Sequence, residues 1–156
     1  MARIVFDIPA HFGFATEVQV YISHVNQGGH LDNAQLLSLV SEARVRFFHA
    51  LGWREGHVGG AAIVVGDMLA QYKSEAFHGE TLRVQMTPAE FNRYGFDLVF
   101  CMTETVSGRE VARGKTGIVF IDRESRRVTP IAADVLARLQ QCSQPQVPTD
   151  PPPAAA

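Results

Sequence analysis

The order of apolar and polar residues predicts one strand followed by one long helix. Apolar and polar residues alternate across Glu17–Ser23, which is the period of a half-buried strand. A polar, glycine-rich turn, 23–32, comes next, and apolar residues then recur at helical spacing as far as Gly52. The predicted helix has about 18 residues, which exceeds the usual length of roughly 11–12. Its apolar stripe is wide enough to require burial against a sheet and contains Leu36, Leu37, Val40, Ala43, Val45, Phe47, Phe48 and Leu51.

Both ends of this helix carry capping signals. Asp32 or Asn33 can accept hydrogen bonds from the first backbone N–H groups. Gln35 stands three residues after Asp32, in the position of a capping box. Gly52 can adopt the left-handed conformation that ends many helices, so we expect it at the C-cap.

The rest of the chain is rich in β-branched and aromatic residues, in runs separated by turn signals such as Ser107-Gly108. A short helix is predicted at Pro130–Gln141. We therefore expect a single α+β domain over 1–142, in which the long helix lies across a curved antiparallel sheet. Five prolines and three final alanines make residues 143–156 a predicted disordered tail. The four predicted strands of this part are Ala61–Tyr72, Thr81–Phe91, Gly95–Val106 and Glu110–Asp122.

Composition narrows the function classes. With 156 residues, 19% charged residues and a net charge of −2, the chain gives no reason to expect a nucleic-acid partner. No signal peptide is apparent, and no apolar run approaches the roughly 20 residues of a membrane span, so we expect a cytoplasmic protein without a membrane partner. The histidines lack metal-ligand spacing, so no metal is expected. Cys101 lies in an apolar strand, which predicts a buried free thiol.

Side chains capable of chemistry gather in the turn before the helix. His24, Asn26, His30 and Asp32 all stand within a few residues of the predicted helix start. Exposed backbone N–H groups at a helix start can hold a carbonyl oxygen or an anion. The turn is therefore the first candidate for a functional site.

Short motifs follow one another along residues 16–140. They are Gly29-His30-Leu31-Asp32-Asn33-Ala34, Glu42-Ala43-Arg44, Leu51-Gly52, Gln71-Tyr72-Lys73-Ser74, Gly79-Glu80-Thr81-Leu82 and Glu90-Phe91-Asn92-Arg93-Tyr94-Gly95-Phe96. Together they resemble the hotdog-fold acyl-CoA thioesterases, in particular the 4-hydroxybenzoyl-CoA thioesterase branch. The resemblance implies a hotdog fold, in which a curved antiparallel sheet of about five to six strands wraps the long helix.

The resemblance also implies an activity and its partners. We expect a thioester hydrolase that acts on an acyl- or aroyl-CoA, or on the thioester of an acyl carrier protein. CoA would be part of the substrate, with no separate cofactor. Because the open edges of such a sheet are commonly covered by a second subunit, we expect a homodimer or homotetramer.

The turn departs from this family at the position of its usual carboxylates. The family carries Asp-x-Asp in the turn, and the second Asp serves as nucleophile or general base. By register from Gly29-His30, these two positions are His24 and Asn26 here. An amide cannot accept a proton near neutral pH, but it can orient a water molecule or donate a hydrogen bond to a thioester oxygen.

Other residues are candidates for the missing base. His30 titrates in the right range and stands near the helix start. His24 ends the predicted strand, and Glu42 lies roughly 13–15 Å along the helix from its start. The catalytic candidates are therefore Asn26, His30 and Glu42. Structural alternatives stay open: Asp32 as an N-cap, His30 as a turn residue bonded to backbone, and Glu42 as an ion-pair residue beside the neighbouring arginines at a subunit contact.

Contacts to the substrate follow from the same resemblance. Tyr72 and Phe77 would line the acyl pocket, and Lys73 would add positive charge. Arg93, followed by Tyr94 at the start of a strand, would contact the phosphates of CoA.

Three functions are compatible with this pattern. The first is hydrolysis of an acyl-CoA thioester. The second is binding of an acyl thioester without hydrolysis, which the absence of both turn carboxylates favours. The third, a dehydratase or hydratase on the same fold, ranks last because the chain lacks the pattern expected around the histidine of such an enzyme.

Overall fold

In the computed structural model, which describes residues 3–145, one long helix crosses an antiparallel sheet. Along the chain the described elements are β1 (Phe14–Gln19), a short 3-10 helix (Ile22–His24), α1 (Asn33–Ala50), β2 (Ala62–Tyr72), β3 (Thr81–Ala89), β4 (Gly95–Glu104), β5 (Glu110–Ile121) and α2 (Ala133–Ser143). The strand order is β1-β3-β4-β5-β2, and each described pair is antiparallel. The predicted α+β arrangement is therefore confirmed, with five strands in the described sheet. Among the described helices, none is both long enough and apolar enough to cross a membrane.

The core lies between α1 and one face of the sheet. The predicted apolar stripe of α1 supplies Leu36, Val40, Ala43 and Phe47, which are all buried. They belong to one cluster with alternate side chains of the central strands, among them Val84, Met86, Phe96, Leu98, Phe100 and Met102. Burial of apolar surface on this scale is the main driving force for folding. Cys101 points to the other face of β4 and is a buried free thiol, as predicted.

The first turn of α1 is capped as predicted, with one difference. Asp32 is the N-cap, and its Oδ1 accepts the N–H groups of Ala34 (2.8 Å) and Gln35 (3.2 Å). The predicted capping box is not completed, because the Asp32 N–H donates to the carbonyl of His24 (2.9 Å) instead of to Gln35. This bond fixes the direction in which the turn enters the helix.

β1 begins and ends earlier than the predicted strand. Its last residue is Gln19, whereas Ile22–His24 forms a 3-10 turn in which Ile22 is 69% exposed. The cause is the His24 ring, whose Nδ1 accepts the Tyr21 N–H (3.1 Å) and so bends the chain. The prediction of a strand beyond this bend is therefore wrong.

The remaining boundaries differ from the predictions by a few residues. The C-cap of α1 is Leu51, and Gly52 follows it with a φ of +82°, so the glycine stands just after the cap. α2 starts three residues later than predicted, because the Ile131 N–H is bonded to the Arg93 carbonyl. β3 and β4 each end two residues early. Most of the predicted tail, 143–156, lies outside the described residues.

A buried arginine joins α1 to the segment before β2. Arg44 is 9% exposed, and its Nε donates to Glu55 Oε1 (2.6 Å). Its Nη1 is buried and has no partner among the described residues. The Glu55 carbonyl accepts the Ile63 N–H (3.0 Å), so the pair connects the helix, the loop and the start of β2.

Replacing Glu55 with alanine should lower the free energy of unfolding by about 1–3 kcal/mol, because a buried guanidinium loses its counter-charge. The value lies below that of a fully buried pair, since the Glu55 side chain is 30% exposed. Urea unfolding measures the change. The control Glu124→Ala, at an exposed turn, should change the free energy by less than about 0.5 kcal/mol. Equal stability of the two variants would show that the pair contributes nothing.

Candidate active site

The turn between β1 and α1 is closed by backbone hydrogen bonds. The Asn26 N–H donates to the His30 carbonyl (3.0 Å), and the Gly29 N–H donates to the Asn26 carbonyl (3.0 Å). Gly29 has a φ of +83°, which glycine adopts without strain. The Leu31 N–H donates to the carbonyl of Ala76 (2.7 Å) and so attaches the turn to the loop after β2. The two segments are thereby held face to face.

A cavity of about 330 Å³ opens between these two segments. Its polar rim comprises Asn26, His30, Asn33, Tyr72, Lys73, Ser74 and Glu75. Its floor is apolar and is formed by Leu31, Leu36, Ala76 and Val111, each at most 7% exposed. A pocket with apolar walls and a few convergent polar groups is the usual form of a small-molecule site.

The Asn26 side chain is oriented by its own backbone. Its Oδ1 accepts the Gly28 N–H (2.9 Å), as in an Asx turn. Because the oxygen is engaged in this way, the Nδ2 group is left to donate a hydrogen bond at the rim. A Cβ atom at Gly28 would lie 3.0 Å from His30 Nε2 and 3.1 Å from Asn26 Oδ1. The glycine therefore leaves room for both polar groups.

The His30 ring presents one nitrogen to the cavity. Its Nδ1 lies 3.3 Å from the Leu31 carbonyl, and because a carbonyl only accepts, Nδ1 carries the proton of the neutral ring. Nε2 lies 3.7 Å from Glu75 Oε1. The His30 side chain is 34% exposed, so water reaches it. When this Nδ1 donates to the carbonyl, Nε2 is the nitrogen of the neutral ring that can accept a proton.

Glu75 is held in place through its backbone. Arg109 Nη2 donates to the Glu75 carbonyl (3.0 Å) and to Glu80 Oε2 (2.6 Å). Arg109 Nη1 lies 3.4 Å from Glu104 Oε2. Glu104 is 4% exposed, and the Ser107 hydroxyl, followed by neighbouring backbone N–H groups, lowers the pKa of its carboxyl to about 2. An ionised Glu104 therefore fixes Arg109, which in turn fixes the loop that carries Glu75.

The helix start is less available for binding than the sequence indicates. Asp32 occupies the N–H groups of Ala34 and Gln35. The Asn33 N–H is left without an intramolecular partner among the described residues, and Asn33 lines the cavity. The Tyr72 hydroxyl donates to the Asn33 carbonyl (3.1 Å) and attaches the end of β2 to the helix.

His24 and Glu42 lie apart from this cavity. Both line a second groove, of about 530 Å³, between β1 and α1. Glu42 Oε1 accepts a hydrogen bond from Arg46 Nε (2.8 Å). Arg46 Nη1 donates to the carbonyl of Glu17 (2.7 Å) on the outer edge of β1. The structure thus separates Glu42 from the turn and places it in an ion pair that covers an edge of the sheet.

Of the predicted substrate contacts, some line the cavity and others lie apart from it. Tyr72 and Lys73 line the cavity. Phe77 lies outside it and is 44% exposed, with an arginine guanidinium 6.0 Å from its ring. Arg93 stands over the Tyr94 ring (5.3 Å to the centroid) just before β4. Within one copy, the strand register puts the start of β4 about 25 Å from Tyr72, and Arg93 stands two residues before that start.

Glu75 and Arg109 are site residues that the sequence analysis does not identify. Glu75 directly follows the motif that ends at Ser74, and its carboxylate beside a predicted rim residue is the one local signal for it. Arg109 has no such signal, because the Glu75 carbonyl that it binds is far away in the chain.

Comparison with known families identifies the protein class. The model described as thioesterase-like superfamily matches residues 20–139, which include the turn, the cavity and β2 to β5. The chain belongs to the thioesterase-like superfamily. A search of curated protein sequences gives no match for this thioesterase-like chain.

Solved structures show the same fold for this superfamily member. The 1,4-dihydroxy-2-naphthoyl-CoA thioesterase of Synechocystis aligns with a TM-score of 0.76 and 20% identity, over 85% of this chain and 98% of that one. The probable thioesterase YbaW of Escherichia coli gives 0.72 and 22%, over 86% and 100%. A Thermus thermophilus thioesterase solved with coenzyme A and zinc gives 0.75 and 24%, over 88% and 100%. The hotdog fold is confirmed, and the superfamily supports the prediction of a thioester hydrolase.

The titration of Glu104 predicts how stability changes with pH. The pKa of its carboxyl falls from 4.5 to about 2 on folding, so its contribution is complete above pH 4.5 and is lost as the pH falls to 2. Glu104→Gln should therefore lower the melting temperature near neutral pH. The difference from wild type should close between pH 4.5 and 2, as measured by calorimetry. A difference that stays constant over this range would contradict the prediction.

Proposed function

We propose that this thioesterase-like protein hydrolyses acyl-CoA thioesters in the cavity that contains His30. The observation that carries the proposal is the state of the His30 ring, whose Nδ1 is bonded to a carbonyl while Nε2 faces the cavity beside Glu75. The ring supplies a proton acceptor in a turn where Asn26 cannot act as one. The apolar floor fits an acyl group whose thioester lies at the polar rim.

In the first step His30 activates water. Nε2 accepts a proton from a water molecule as the water oxygen attacks the thioester carbon, and a tetrahedral oxyanion forms. Glu75 Oε1, 3.7 Å from Nε2, stabilises the imidazolium. A positioned general base of this kind contributes roughly 10²–10⁴ to the rate.

Two donors are available to the oxyanion. The Asn26 Nδ2 group is oriented by the bond from Gly28 N–H to Oδ1. The Asn33 N–H stands at the positive end of α1. Both belong to the turn and the helix start, whereas Glu75 belongs to the loop across the cavity. The donors and the negative charge therefore act on different sides of the thioester.

In the second step the oxyanion collapses and the C–S bond breaks. CoA leaves with the electron pair as a thiolate, which is a good leaving group because thiols have a pKa of about 8.5. The His30 imidazolium returns its proton to the sulfur. The products are the free acid and CoA, and the ring is neutral again.

CoA enters this scheme as part of the substrate, without a separate cofactor. His30, Glu75 and Asn26 supply the proton transfer and the charge stabilisation that hydrolysis needs. Thioesters of acyl carrier proteins present the same reacting group, so both carriers belong in the assay. A cytoplasmic location stays a prediction.

The functional unit is proposed to be a homodimer, or a tetramer of two such dimers, joined through β2. Of the two edge strands, β1 has its outer carbonyl at Glu17 occupied by Arg46. β2 instead exposes Val64 and Val65, at 36% and 42%, beside an edge that pairs with no described strand. Long exposed edges with apolar side chains favour pairing with another chain.

Antiparallel pairing of two β2 strands would also bring the predicted CoA contact to the cavity. A two-fold axis places the start of one β2 beside the end of the other, where Tyr72 lines the cavity. Val64 near the start of β2 is paired with Val119 of β5, and Val119 is paired with Gly95 of β4, which stands two residues after Arg93. Arg93 of the partner subunit would therefore approach this cavity, whereas Arg93 of the same chain is distant from it.

Release of thiol from acyl-CoAs should depend on His30. His30→Ala should lower kcat about 100-fold or more, because it removes the general base. Glu75→Gln should lower kcat about two- to fivefold, since an exposed pair contributes about 0.5–1 kcal/mol. A thiol reagent measures release over a panel of acyl-CoAs. His49→Ala and Glu124→Gln, which are both exposed and remote, are the matched controls and should turn over like the native protein.

Two outcomes would contradict this mechanism. Native turnover in His30→Ala would exclude His30, and Glu42→Gln would then test the helix carboxylate. A native protein that binds acyl-CoA without releasing thiol, but gains release in Asn26→Asp, would establish non-hydrolytic binding as the function. In that case the new carboxylate would supply the base that the native turn lacks.

Mixing two impaired variants, Arg93→Ala and His30→Ala, tests the shared site. Arg93→Ala should raise KM about tenfold or more through loss of a charged contact. In a mixed dimer with His30→Ala, one cavity combines an intact His30 with Arg93 of the partner subunit. About one quarter of native activity should return at low substrate, because half of a random mixture is mixed dimer. If no activity is recovered, Arg93 acts at the cavity of its own chain or at neither cavity of the dimer.

A further inference from the structure

A β-bulge places one residue in the floor of the cavity. In the register of β4 with β5, Glu110 and Ala112 face consecutive residues of β4, so Val111 between them has no partner on that strand. Val111 is 1% exposed and shares the core with Ala112, although neighbours on a regular strand face opposite sides. A bulge re-aims a side chain in this way. Val111 consequently lines the cavity.

The bulge is fastened to the loop that carries the rim. The N–H groups of Lys73 and Ser74 both donate to the Val111 carbonyl, at 2.8 and 3.2 Å. The Ser74 hydroxyl donates to the Glu110 carbonyl (2.7 Å). The position of Val111 is therefore fixed relative to Glu75, the residue that faces His30 Nε2.

The other floor residues are also packed in the core. Leu31, Leu36 and Ala76 are 7%, 3% and 1% exposed and belong to the packed core. A close-packed interior does not recede to admit extra atoms without cost. The volume of about 330 Å³ is near the lower end of the range of roughly 300–1,000 Å³ for ligand sites. Part of it must hold the thioester and the attacking water.

We infer that the cavity takes short aliphatic acyl groups of about four to six carbons, and that Val111 sets the length limit. The inference rests on the proposed function, since it names the acyl group for the same site. A longer chain meets the packed core. An aromatic acyl group finds no ring to pack against on the floor, because the described floor residues are all aliphatic and the two lining rings, Tyr72 and His30, stand at the rim.

The test is a profile of kcat/KM over acetyl-, butyryl-, hexanoyl-, decanoyl- and benzoyl-CoA. From acetyl- to butyryl-CoA, kcat/KM should rise about fourfold per methylene, because each added group is buried on the floor. It should fall about tenfold or more from hexanoyl to decanoyl and to benzoyl. A native protein that prefers decanoyl- or benzoyl-CoA would overturn the inference.

Two variants, one that removes side-chain volume from the floor and one that adds it, test the role of the floor. Val111→Ala should raise kcat/KM for decanoyl-CoA relative to hexanoyl-CoA about tenfold. Ala76→Val should move the preference towards acetyl-CoA. Val84→Ala is the matched control, because Val84 is equally buried but does not line the cavity. Thermal unfolding confirms that each variant is folded. The native profile in both floor variants would exclude Val111 as the limit.

Failure of the proposed function can be distinguished from failure of this inference. If the native protein turns over no acyl-CoA, hydrolysis is wrong, and the profile is then read from the Kd of non-hydrolysable acyl-CoA thioethers of the same lengths. Tightest binding at four to six carbons, moved to longer chains in Val111→Ala, still supports the inference. A flat series of Kd values overturns it.

Discussion

Burial of one face of α1 against the sheet is the constraint on which the rest of the structure depends. The helix lies across the sheet only because the chain leaving β1 turns sharply, and backbone hydrogen bonds close that turn. The Leu31 N–H then reaches the carbonyl of Ala76 (2.7 Å) and joins the turn to the loop after β2. The cavity is the space between these two segments, and side chains of the core form its floor.

The same folding requirements decide which polar groups remain for chemistry. Asp32 satisfies N–H groups at the helix start, and Asn26 Oδ1 satisfies the Gly28 N–H. A side-chain cap of a helix start contributes about 0.5–2 kcal/mol of stability, so these structural roles come before any chemical one. The groups of the turn and helix start left at the cavity include the Asn26 amide nitrogen, the Asn33 N–H and His30 Nε2. Much of the polarity that makes the turn prominent in the sequence is therefore used by the fold.

The elements could be predicted because their signals are local, whereas much of the site could not. The apolar periods of α1 and of the later strands are properties of short segments, and the structure reproduces them within a few residues. The end of β1 depends on the His24 ring accepting the Tyr21 N–H, which periodicity does not contain. Asn26 and His30 meet because one turn holds both. Glu75 joins them only through tertiary contacts, from a segment far along the chain.

Replacing a turn carboxylate by an amide and a histidine changes where negative charge stands at the cavity. In the proposed mechanism, a carboxylate at position 26 would lie near the carbonyl oxygen that becomes an oxyanion. Two such charges about 4 Å apart repel by about 4 kcal/mol at an effective dielectric constant of 20. Here the turn offers hydrogen-bond donors, and the one carboxylate among the described lining residues, Glu75, stands beside the base. In the proposed mechanism, a cavity whose one described carboxylate stands beside His30 therefore favours the oxyanion and the imidazolium in the same transition state.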